Sequence, residues 1–284
     1  MRLNILIPAL ILATASFSIT TFAQTPNLEF PAPSPSSTLK QRVGLTDIEI
    51  VYSRPGVKGR KIFGGLVSHG EVWRTGANTA TKVVFSTPVK INGTEVPAGT
   101  YALFTIPSEL EWTVILSKAP GQWGSYRYDQ KDDQVRVKVL PVKLAEAVET
   151  FTIDINDIRD DSATLNLIWE KVRVPVKLQL DLKAKLAPQI EKAMAAPDGK
   201  KPYFQSAMFY YDHGMDLQKA NEWVDAALKE REAFYVVHLK AKILAKLGDK
   251  AGATAAAKRS SELAKEAKDS GYVRLNDDLI ASLK

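Results

Sequence analysis

The chain has 284 residues and no cysteine, with 38 Lys plus Arg against 32 Asp plus Glu, a formal charge of +6 with histidine neutral. The missing cysteine rules out disulfides, thiolate nucleophiles, thiolate metal sites and a bacterial lipoprotein anchor. At 45% hydrophobic residues the length suffices for two apolar cores, and the basic excess reads as a solvated lysine-rich surface with no nucleic-acid motif.

Residues 1–23 have the layout of a secretory signal peptide. Arg2 supplies the positive start, Leu3 to Ala15 are almost wholly apolar, and Thr21 and Ala23 offer small residues for cleavage before Gln24. A membrane anchor needs ~20 uninterrupted apolar residues, and Pro8 interrupts this run early. The expectation is therefore a periplasmic or secreted protein with no membrane span after cleavage, its charge falling from +6 to +5 as Arg2 leaves. Residues 24–38 hold Pro26, Pro31, Pro33 and Pro35 among serines, and read as an extended tether.

From residue 39 to 182 the hydrophobic period is two. Val135, Val137 and Val139 alternate with polar residues, as do Phe151, Ile153 and Ile155; Leu165, Leu167 and Trp169 follow the same step. The longest run goes from Val172 through Val174, Val176, Leu178 and Leu180 to Leu182. One buried and one wet face predict antiparallel strands. Asn92-Gly93 between Lys90-Ile91 and Thr94-Glu95-Val96 predicts a hairpin, because a type I′ turn needs positive φ twice. Short strands at this spacing predict a jelly-roll-like β-sandwich, with a closed barrel as the alternative.

Residues 183–202 read as a linker with a short helix, bracketed by Pro188, Pro197 and Pro202. Helical periodicity then takes over, and Gly214 and Gly248 stand 34 residues apart, the tetratricopeptide period. Phe204, Ala207, Tyr211, Ala220, Val224 and Ala227 fall at the interlocking positions of a first unit. A second unit is degenerate and a last helix is expected from Leu275. Residues 203–284 thus form a small α-helical, repeat-like domain that offers a surface to a protein partner.

The segment from Ser53 to Asn78 holds five cations, Arg54, Lys58, Arg60, Lys61 and Arg74, against the single acid Glu71, and is rich in glycine. Arginine forks beside glycines suit a carboxylate, sulfate or phosphate. The competing reading is that the arginines pin an irregular loop by bonding its carbonyls. His69 and Glu71 with Ser53 or Ser68 form the weaker alternative of a metal-independent hydrolase acting on cell-envelope material, without a Gly-x-Ser-x-Gly elbow. Trp123, Tyr126 and Tyr128 sit in or next to a glycine-bearing loop and either stack on a sugar or cap the core. Asp129, Asp132 and Asp133, like the aspartates from 154 to 161, lack calcium-loop spacing and read as solvated turns. No cofactor is expected.

Several stretches occur in a recognisable order: Ser53-Arg54-Pro55, Gly59-Arg60-Lys61-Ile62-Phe63-Gly64, Trp73-Arg74-Thr75-Gly76-Ala77-Asn78, Ala98-Gly99-Thr100-Tyr101 and Trp123-Gly124. On these the chain resembles the bacterial exported family known as domain of unknown function 2911, over about residues 36–182. The resemblance implies an exported β-domain, often joined to repeat-like helices, and brings no activity. Where that family usually has proline then tyrosine before Gly70, this chain has Ser68-His69, which argues against an indispensable catalytic histidine there. The functional expectation is a binding or assembly module for an anionic or glycan ligand, with Arg54, Lys58, Arg60, His69, Glu71, Arg74, Asn78 and Trp123 as candidate contacts.

Overall fold

The computed structural model describes residues 28–284, so the expected signal peptide and cleavage point lie outside the described residues. The predicted alternation becomes ten strands in two antiparallel sheets. The first sheet holds β1 (Ser36–Val43), β2 (Thr46–Ser53), β3 (Thr81–Phe85), β6 (Gly99–Ile106), β7 (Trp112–Ser117) and β8 (Asp133–Val139), in that order. The second has the order β5 (Thr94–Val96), β4 (Val89–Ile91), β10 (Ser162–Gln179), β9 (Val142–Asn156). β1 starts ahead of the boundary read at Leu39, because Ser36 to Thr38 lack proline and pair with Ser53 to Val51.

Residues of both sheets share one apolar core. Ile48 and Ile50 of β2, Val114 and Leu116 of β7, Ile153 of β9 and Val174, Val176 and Leu178 of β10 all lie in it. The sheet edges approach each other, β1 beside β9 and β8 beside β5, without a hydrogen-bonded ladder, so the domain is a sandwich and not a closed barrel. The Asn92-Gly93 turn forms as expected, with φ of 46° and 86°. One end of the core is aromatic: Phe63, Trp73, Trp112, Phe151 and Trp169 meet edge to face, except that Trp73 and Trp169 stack at 5.8 Å and 18°.

Six helices follow: α1 (Leu182–Ala195), α2 (Tyr203–Asp212), α3 (Leu217–Glu230), α4 (Phe234–Leu247), α5 (Lys250–Glu266) and α6 (Ser270–Ser282). Aspartates 181, 216, 249 and 269 cap α1, α3, α5 and α6 by accepting from backbone N–H groups of the first turn. α1 is longer than the short helix expected, and Pro188 lies inside it. α6 begins ahead of Leu275, since the Asp269 cap starts it. α2 packs with α3 and α4 with α5, and the core closes on Ala207, Ala220, Val224 and Ala227 as the repeat spacing predicts. Tyr211, expected at an interlocking position, is only partly buried, and its neighbour Tyr210 is the more enclosed at 3%. The helices approach the sandwich where the buried His213 Nε2 stands 2.8 Å from Asp160 Oδ2, an ion-pair distance without hydrogen-bond alignment.

Candidate functional site

After β2 the chain crosses from one sheet to the other. Phe151 N–H donates to Pro55 O at 2.9 Å and Val57 N–H to Glu149 O at 2.7 Å, so the start of the cationic segment runs along β9. Arg54 fixes this crossing by donating from Nε to Phe151 O (3.1 Å) and from Nη2 to Thr152 Oγ1 (2.9 Å). It is a pin, but onto β9 and not onto the loop's own carbonyls, which Arg60 meets instead.

The segment then dives into the aromatic end of the core. Ile62 is fully buried, and Trp73 exchanges backbone hydrogen bonds with Thr105 at 2.7 and 2.9 Å. A tight turn follows, with φ of 53° at Thr75 and 58° at Asn78. A buried β-branched residue at positive φ is strained, and persists only where its surroundings hold it. Thr75 is held: its hydroxyl lies 3.3 Å from Trp73 O and 3.1 Å from Thr105 Oγ1, and its carbonyl accepts from Thr81 Oγ1. Gly76 between them has φ of 146°, and a Cβ there would stand 3.0 Å from Ser53 O. Its carbonyl accepts from the Trp73 indole N–H at 3.1 Å. Asn78 Nδ2 lies within bonding distance of Ser53 Oγ (3.2 Å) and of Ser34 O (3.4 Å), while Arg54 N–H donates to Pro35 O at 2.9 Å. The proline-rich segment before β1 is thereby drawn against the turn.

Together these elements enclose a cavity of about 280 Å³. Trp73 and Trp169 contribute apolar ring surface, Leu66, Val67 and Ala77 further apolar wall, and Ser34, Arg60, Arg74 and Asn78 polar groups. No carboxylate lines it. Arg60 is half committed, donating from Nε to Val57 O at 3.0 Å and from Nη2 to Gly56 O at 2.6 Å, with the side chain otherwise exposed. Arg74 differs. Its Nε is shut off from solvent and has no hydrogen-bond partner, whereas buried polar groups in folded proteins are almost always paired.

Three of the eight candidate residues, Arg60, Arg74 and Asn78, therefore meet at one cavity, and five do not line it. Lys58 is exposed, its Nζ 3.5 Å from Pro33 O. His69 and Glu71 are exposed, and no hydrogen bond among the described residues joins either to Ser53 or Ser68. Trp123 is 65% exposed and caps nothing, so the capping alternative fails for it. The cap is Tyr128, whose ring meets Phe104 at 5.1 Å and whose hydroxyl donates to Asp133. Burial, reinforced by Asp133, pushes the Tyr128 phenol up to about 12, and burial raises Asp133 as well. The Trp123 loop is nonetheless fixed next to the cavity, since Gly124 N–H donates to Asn78 O and Ala80 N–H to Gln122 O.

Ser34 and the two stacked tryptophans were not singled out as site residues. Trp169 reads as core from its alternation, and it is core, 2% exposed, while it also backs the cavity. Ser34 carries no signal at all, because only the fold returns it to Asn78.

A family model described as a protein of unknown function, DUF2911, matches residues 34–178, just over half of the chain. The chain belongs to this family. Every residue that lines the cavity, from Ser34 to Trp169, falls within the stretch matched to DUF2911, and all six helices fall outside it. No curated protein and no solved structure matches the chain. Among the described residues no helix is long and apolar enough to cross a membrane. No group of three or more His, Cys, Asp or Glu there is placed to hold a metal ion.

Proposed function

We propose that the protein is an exported binding module whose sandwich holds a small anion between Arg60 and Arg74, with the helices available to a protein partner. The observation that carries this reading is Arg74. Its guanidinium makes no hydrogen bond or ion pair among the described residues, and Arg74 borders a concavity that contains a second arginine and no acid. An oxyanion there gains charge-assisted hydrogen bonds and meets no like charge. Export rests on the charged start, apolar run and small-residue site before Gln24.

The test is a thermal-shift series on the mature chain against chloride, acetate, phosphate, sulfate and larger organic acids. A ligand at 100 times its Kd adds about 2.7 kcal/mol of stability, an easily read rise in Tm. Arg74→Met is expected to abolish the rise while the ligand-free protein melts within about 1 kcal/mol of the wild type. An anion that stabilises both proteins equally, or a panel that stabilises neither, removes the reading.

A further inference from the structure

The composition of the cavity narrows the ligand, on the footing that it is the anion site proposed above. The indole N–H groups of the two tryptophans that line the cavity are already used, Trp73 on Gly76 O at 3.1 Å and Trp169 on Glu149 O at 3.2 Å. The tryptophans therefore present ring carbon without donors. Leu66, at the same cavity, is 51% exposed, an apolar side chain with nothing over it. The Asn78 amide N–H₂ is directed at Ser53 Oγ and Ser34 O, and two Arg60 nitrogens are spent on loop carbonyls. What remains free for a ligand is concentrated on Arg74 and the outer nitrogen of Arg60.

We infer that the cavity takes a small organic carboxylate with a flat or branched apolar body, in preference to inorganic oxyanions and sugar acids. A planar carboxylate is the acceptor that a guanidinium edge meets with two parallel bonds. Its apolar body covers the 51%-exposed Leu66 and removes that surface from water, with the already buried Trp73 and Trp169 as the wall behind it. A tetrahedral phosphate or sulfate has no apolar body to cover Leu66 and carries more acceptor oxygens to satisfy than a carboxylate. A uronic acid brings several hydroxyls, and each one buried without a partner costs about 1–3 kcal/mol. At about 280 Å³ the cavity is below the range of ~300–1,000 Å³ usual for drug-sized ligands, so it admits one ring with a short acid arm and not an oligomer.

Isothermal titration of the full mature chain with phenylacetate, cyclohexylacetate, acetate, inorganic phosphate and galacturonate tests this. The two ring-bearing acids are expected to bind roughly tenfold or more tighter than the other three, with a negative heat-capacity change from apolar burial. Arg74→Lys keeps the charge but loses the fork, and is expected to weaken phenylacetate roughly tenfold or more. Ala77→Leu fills the cavity and is expected to block both ring-bearing acids, with the circular dichroism melt of each variant confirming that it folds. Tighter binding of phosphate or galacturonate that still depends on Arg74 overturns the ligand class and leaves the anion site standing. Ring-bearing acids that bind the Arg74 and Ala77 variants as they bind the wild type place the ligand elsewhere and overturn it too. No binding by any of the five removes both readings together.

Discussion

The sandwich and the helices reach stability by different means. The sandwich encloses large side chains brought from far apart in sequence, with Trp169, Phe104, Phe151 and Ile50 among its most buried. The helical region closes largely on alanine: Ala207, Ala220, Ala253, Ala257 and Ala264 are all fully enclosed. Small side chains let helices approach closely but bury little area each. Tyr210, Val224, Val236, Leu239 and Ile243 add larger apolar side chains, and polar contacts link the helices, such as the chain His238 to Asn276 to Ser260, and Glu191 taking bonds from Tyr210 and Lys219. A core of large residues is most sensitive to truncation, and a core of small ones to enlargement.

Four experiments sharpen that contrast. The largest effect is expected from Trp169→Ala, which removes a ring packed against Phe63, Trp73 and Phe151 and should cost about 3–5 kcal/mol in urea unfolding. A loss below about 1 kcal/mol would mean that the aromatic end of the sandwich is not a tightly packed core.

Second is Arg54→Met, which deletes charged bonds to Phe151 O and Thr152 Oγ1 and should cost about 1.5–3 kcal/mol. The contrast with Arg74→Met, expected to be nearly neutral, separates a pin from a ligand contact by melting alone. Equal costs would erase that distinction. Third, in the helices, Ala257→Leu should cost about 1–3 kcal/mol by overpacking between α4 and α5. A neutral or stabilising result would show slack in the alanine core.

The smallest effects are those of pH, and in acid the carboxyls of the helices and of the sandwich combine differently. Bonds from Lys219 and then Tyr210 hold the Glu191 carboxyl below its ordinary range. A depressed carboxylate contributes stability above its unfolded pKa and loses it as pH falls through the folded one. In the sandwich the directions offset: Lys40 and Lys131 lower Glu49 and Asp129, whose contributions are lost in acid, while Asp133, raised by burial, binds its proton more readily when folded and gains. Mild acid should therefore loosen the contact of α1 with α2 and α3 before it affects the sandwich. Because Glu191 is well exposed, the effect is small. Trp223, the helical tryptophan packed on Tyr210 at 4.6 Å, reports it by fluorine NMR against the four tryptophans of the sandwich. In alkali the regions agree. Tyr128 and Tyr210 are both pushed up to about 12, so stability is full below the usual tyrosine value of ~10 and declines as pH rises through about 12. A Trp223 signal that holds while the sandwich signals shift in acid would reverse the comparison.

The sequence by itself determined whatever depends on near neighbours. Alternation set which residues of β8, β9 and β10 face inward, because side chains on a strand change sides at every step. Asn92-Gly93 set a hairpin, and the aspartates before α3, α5 and α6 could start helices, since turn and cap chemistry act over two or three residues. The cationic glycine-rich segment was visible as a candidate site for the same reason, its charges falling within one short stretch of chain. Only the tertiary structure decided what each arginine does. Arg54, Arg60 and Arg74 have the same side chain in similar local sequence, yet one meets β9 carbonyl and hydroxyl oxygens, one is divided between loop and cavity, and one is left unpaired. The difference lies in partners as distant in sequence as Phe151, Trp169 and Ser34, and a hydrogen bond is assigned by distance and angle in space, which local sequence does not encode.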